Sequence, residues 1–93
     1  NGKQAVADAK SACNEASWRE TAYIDTLAAA HAEAGDFDSA IQFEQRAIKS
    51  AREETWAIND PGRRRAAYER QLAHYQRRLA AYKRHQPWRS ILD

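Results

Sequence analysis

Leu27-Ala28-Ala29-Ala30-His31-Ala32-Glu33-Ala34-Gly35-Asp36-Phe37 decides how this chain folds. Tyr23, Leu27, His31 and Ala34 recur four, four and three residues apart with alanines between them, so residues 21–34 read as a helix whose buried face is small. Gly35 can take a left-handed C-terminal conformation at little cost, and Asp36 is placed to cap the next helix. From Phe37 onward Ala40, Ile41, Ala47, Ile48 and Ala51 mark a further amphipathic helix that can run on through Trp56 and Ile58. So short a link makes the two helices antiparallel neighbours, and the alanines let their backbones come close.

Outward from this hairpin, Ala5, Ala9, Ala12 and Ala16 fall on one helical face beside Val6 and Cys13, giving a first helix over 3–16. Ser17 and Trp18 break it. On the other side, Asn59-Asp60-Pro61-Gly62 announces a new helix, since Asp60 can cap it and Pro61 has no amide hydrogen to lose at its first position. That fourth helix should reach about Arg84, with Tyr68, Leu72, Tyr75, Leu79 and Tyr82 forming a narrow apolar seam. Gln86-Pro87 stops it, and Trp88, Ile91 and Leu92 read as a tail folded back on apolar surface. The expectation is one all-α domain over 1–93, an antiparallel helical hairpin array of about four helices with a long C-terminal capping helix.

Composition agrees with this reading. Three Gly and two Pro in 93 residues are too few for a turn-rich β sandwich or barrel. No apolar run approaches the roughly 18–20 residues of a membrane span, so no membrane association is expected. The start at Asn1-Gly2 suggests a piece of a longer protein, and the single Cys13 excludes an internal disulfide while leaving the compartment open. The net charge of +2 conceals an asymmetry: residues 1–60 carry six Lys/Arg against eleven Asp/Glu, and residues 61–93 nine against two. Either the halves attract each other or the basic part faces an outside partner.

A helical hairpin of about 34 residues with small residues at its crossings is the unit of a repeat solenoid. Residues 21–54 resemble one tetratricopeptide repeat: Leu27 and Ala28 stand at the pattern's Leu-Gly positions, Gly35-Asp36-Phe37 forms the turn, and Ala40 and Ala47 match the small residues of the second helix. His31, Ile24, Glu44 and Arg52 depart from the usual Tyr, Trp, aromatic and Pro. The string from Leu27 to Phe37, with Tyr82-Lys83 and Pro87-Trp88-Arg89 later, is similar to C-terminal repeat units of large bacterial multidomain proteins. The resemblance implies a preceding repeat's helix over 3–16 and a capping helix over 61–84. It also implies a groove lined by Asp25, Ala29, Ala32 and Glu33, without the Lys and Asn clamp that many such repeats use on a carboxylate. Such an acidic groove would prefer a basic or apolar segment; alternatively Asp25 and Glu33 are simply solvated.

Chemistry is sparse. His31, His74, His85 and Cys13 share no metal-ligand spacing, Asp36 and Asp38 lack the rest of a calcium loop, and no phosphate loop or nucleophile elbow is present. No catalytic residue, metal or cofactor is expected. Arg63, Arg70, Arg77 and Arg84 repeat every seven residues on the side of the fourth helix away from the seam, a basic ridge about 30 Å long, with Arg64 and Arg78 on its flank. The ridge can be solvated, pair with the acidic body, meet a protein, or track nucleic-acid phosphates, the last disfavoured because the tyrosines lie in the seam. Trp18, Trp56 and Trp88 flank helix ends and are expected to cover Ala-rich interfaces, or in one case to anchor a partner. The function expected is a non-catalytic interaction or scaffold module for a protein or peptide, with a structural solenoid cap or nucleic-acid binding as alternatives, and homo-oligomers are possible through exposed helix faces.

Overall fold

The computed structural model describes residues 2–87. Among them it is all helical, with α1 Gly2–Glu15, α2 Thr21–Glu33, α3 Phe37–Trp56 and α4 Pro61–Lys83, and no strand. The expected tail at Trp88, Ile91 and Leu92 lies outside the described residues.

The caps explain the boundaries. Asp36 accepts hydrogen bonds from the Ser39 backbone N–H at 3.1 Å and the Ser39 hydroxyl at 2.7 Å. Asp60 accepts from the N–H groups of Gly62 and Arg63, with Pro61 at the first helical position. After α2, the N–H groups of Gly35 and Asp36 reach back to the carbonyls of Ala32 and His31, a Schellman closure around Gly35 at φ +85°. The same closure ends α1 at Ser17 (φ 53°) and α4 at His85 (φ 56°), where no glycine stands.

Each helix packs against its neighbour in sequence: α1 on α2, α2 on α3, α3 on α4. The hydroxyls of Thr21 and Ser50 meet at 2.7 Å, tying the start of α2 to the later half of α3. One apolar cluster joins α1, α2 and α3 through Cys13, Ile24, Leu27 and Ala47; another joins α2, α3 and α4 through Ala28, Ala32, Ala40 and Tyr82, and Phe43 touches both. The alanines at these crossings are wholly or almost wholly buried, so the backbones approach closely while Ile24, Leu27 and Tyr82 remove most of the apolar area from water. Beside this core runs a stack in which Phe43 lies between Trp18 (5.8 Å) and His31 (5.3 Å), with Arg46 4.1 Å from the Trp18 ring centre. Trp18 therefore covers an interface as expected. Trp56 does not: it is 68% exposed on the outer face of α3, with Arg64 above its ring at 4.6 Å.

Helix lengths explain that exposure. Arg78 reaches Asp25, and Ala81 and Tyr82 join the cluster containing Ala28 and Ala32, so the last turns of α4 run alongside α2. Between Pro61 and Arg78 lie about 25 Å of helix, while α2 begins only about 6 Å before Asp25. The first half of α4 and the end of α3 thus extend beyond α2.

Candidate functional site: the seam between α2 and α4

The four residues that the repeat pattern assigns to a groove do not share one environment. Asp25 is 7% exposed and Ala32 is 2% exposed, Ala29 is half-buried and Glu33 is exposed. Asp25 and Ala32 lie seven residues apart on the face of α2 that α4 covers, and the Asp25 carboxylate is hydrogen-bonded and ion-paired with the Arg78 guanidinium. Only Ala29 and Glu33 keep contact with solvent, so the acidic character expected of the groove is largely cancelled.

Arg78 itself sits differently from its expected place on the outer flank. It stands three residues after Tyr75 and four before Tyr82, in the buried row of α4, and its side chain is 17% exposed. Arg63, Arg70, Arg77 and Arg84 are all exposed, as a ridge requires. Arg77 and Arg84 lie four residues before and three after the buried Ala81, so the ridge borders the seam where α4 meets α2. Arg64 has left the flank to donate to the Ile58 carbonyl at 2.9 Å and to cover Trp56.

Behind the seam lies a polar cluster that sequence reading passed over. Glu44 of α3 is fully buried beside the Asp25 carboxylate, and with both groups ionised no donor reaches either Glu44 oxygen or Asp25 Oδ1; Arg78 Nε and Tyr82 Oη are unpartnered. Burial first, and then the charge of the neighbouring Asp25 carboxylate and a hydrogen bond to it, push the Glu44 carboxyl up to about 10, against a smaller opposing pull from Arg78, so it holds its proton at neutral pH and shares it with Asp25. Burial likewise raises Tyr75 and Tyr82, which stay protonated. The signal for Glu44 was its spacing: four after Ala40, three before Ala47 and seven before Ala51, in the middle of the alanine stripe of α3.

Asp25 and Glu44 line none of the principal clefts among the described residues; the cluster joins α2, α3 and α4 in the interior. Burial raises the Cys13 thiol above its ordinary range, with Arg46 opposing, which disfavours the reactive thiolate. His31 stacks on Phe43 and places Nδ1 3.6 Å from Asp36 Oδ2, a helix-joining position. Hydrogen bonds from Ser39 hold the Asp36 carboxyl below its usual range. Among the described residues no three His, Cys, Asp or Glu side chains come together as a metal site, and no helix is long and apolar enough to cross a membrane.

The class this geometry defines is an all-α array in which each helix packs on the next. No protein-family model, curated protein or solved structure matches the chain, and the likeness to a tetratricopeptide repeat rests on the pattern of residues 21–54 alone.

Proposed function

We propose that the chain is a non-catalytic interaction or scaffold module that offers a preformed helical surface to a protein or peptide. One observation supports this above the others: among the described residues only sequence-adjacent helices share extended interfaces, so the array is open and leaves long outer faces on its end helices α1 and α4. A closed bundle would have spent those faces on its own core. The surface at the α2/α4 seam is Ala29 and Glu33 bordered by the ridge arginines Arg77 and Arg84, held rigid by the buried polar cluster. Little ordering entropy is then lost when a partner binds. The seam is mixed in charge, which suits a partner segment carrying both signs better than the wholly basic one that an acidic groove would select.

A photo-reactive amino acid at Ala29 tests the proposal, with one at exposed Asp38 as reference. A discrete polypeptide adduct in cells from position 29 that is absent from position 38 supports the seam. Identical adducts from both positions, or none from position 29, refute it.

A further inference from the structure

A second surface lies away from the seam, and its reading stands whether or not the seam takes a partner. Three adjoining clefts, of about 530, 470 and 420 Å³, cross the outer face of α3. The first two share Lys49 and Glu53, and the last two share Arg52 and Trp56, so they form one shallow band from Trp18 to Tyr68. Its cations are Arg46, Lys49, Arg52, Arg64 and Arg65, the last paired with Glu69 at 3.0 Å, and its one acidic lining residue is Glu53. Three of the six Lys/Arg in the acidic first sixty residues gather here. We propose that this basic, aromatic band docks an acidic polypeptide segment with an apolar anchor residue.

Charge complementarity argues for the acidic partner: the band is positive while the rest of residues 1–60 is net negative, so a carboxylate-bearing chain is drawn to this face rather than to the remaining surface of α1, α2 and α3. Trp56 supplies the anchor. It is the most exposed large apolar side chain among the described residues; Arg64 covers its ring on one side and is itself fixed by the Ile58 carbonyl, so the pair is organised before any partner arrives. Nucleic acid fits less well, because single strands need successive open aromatic faces for stacking. Trp18 is already covered by Phe43 and Arg46, and Tyr68 is half-buried.

Fluorescence anisotropy with a fluorescein-labelled twelve-residue peptide of alternating Glu and Leu tests the proposal on the 93-residue chain at about 50 mM salt. The same peptide with Lys for Glu, and a labelled dT12 oligonucleotide, serve as comparison probes. The acidic peptide should bind, and Lys49→Glu with Arg52→Glu should weaken it by about tenfold or more, two reversed exposed charges acting together. Lys3→Glu with Lys10→Glu, on α1 away from both surfaces, should leave it within about twofold, and circular dichroism should show both variants folded, since all four residues are exposed. Absence of acidic-peptide binding, equal loss in the two double variants, or tighter binding of dT12 through Lys49 and Arg52 overturns the proposal.

Discussion

Replacing Glu44 by Gln should change how stability depends on pH while leaving the fold intact. Glu44 is wholly enclosed by α2, α3 and α4, and its carboxyl is raised from an ordinary 4.5 to about 10. Between those values the folded chain holds a proton that the unfolded chain releases. The sign is therefore opposite to that of a salt-bridged carboxylate: the contribution is fully present below about pH 4.5 and is lost as pH rises toward 10. Each pH unit inside the window removes up to about 1.4 kcal/mol. From pH 6 to pH 8 the wild-type chain should lose up to about 2.7 kcal/mol by this route, which lowers a urea midpoint by roughly 1–3 M at ordinary denaturant slopes. Gln is neutral at both pH values and keeps nearly the same shape, so its midpoint should move much less. Urea unfolding of both proteins at pH 6 and pH 8 is the measurement. Midpoints that fall in parallel would show that Glu44 is ionised in the folded state and that the account of the cluster is wrong.

Further variants test the ion pair and the left-handed helix ends. Arg78→Met should cost about 3–5 kcal/mol, because it leaves Asp25 buried beside Glu44 without its cation, whereas Asp25→Leu combined with Arg78→Met should recover most of that loss; a single-variant cost below about 1 kcal/mol in thermal unfolding would make the pair a bystander. Gly35→Ala should cost about 1–2 kcal/mol even though nothing lies within 4 Å of the added methyl, since φ is +85°. Ser17→Gly, at φ 53°, should shift the melting temperature upward, and the same sign of shift in both variants would contradict the closure argument.

The helix boundaries were legible because their causes are local. Gly35, Asp36 and Asp60-Pro61 act within a turn of themselves, and the structure bears out the all-α array they punctuate. What was missed depends on which helix covers which face. A hairpin considered alone leaves Asp25 and Ala32 open; α4 closes over both, and Arg78 is the residue that meets them. The seven-residue spacing of the ridge leaves Arg78 on its flank with Arg64, but its place four residues before Tyr82 puts it in the buried row. Position at a helix end leaves Trp56 either covering an interface or free to anchor a partner, and α2 is too short to reach its level, so it covers none. His85 carries no local signal for a left-handed residue, and its ring stacks on Phe37 at 5.2 Å, a contact that sequence spacing does not show.

The buried cluster and the outer band are physically connected. Helices that meet through alanine stripes present smooth surfaces, and dispersion alone discriminates weakly between one register and the next, a turn away. A carboxylate and a guanidinium that must find each other in the interior remove that freedom, because every slipped register leaves buried charge unpaired. Asp25 with Arg78 sets the height of α4 against α2, and Glu44 fixes where α3 crosses them. The band depends on that height. Arg64 covers Trp56 at 4.6 Å only while α3 and α4 hold their present register, and a slip of one turn, about 5.4 Å, would carry the guanidinium off the ring and open the cleft shared by Arg52 and Tyr68. The polar groups with unmet hydrogen-bonding capacity thus hold in place an outer surface that none of them touches.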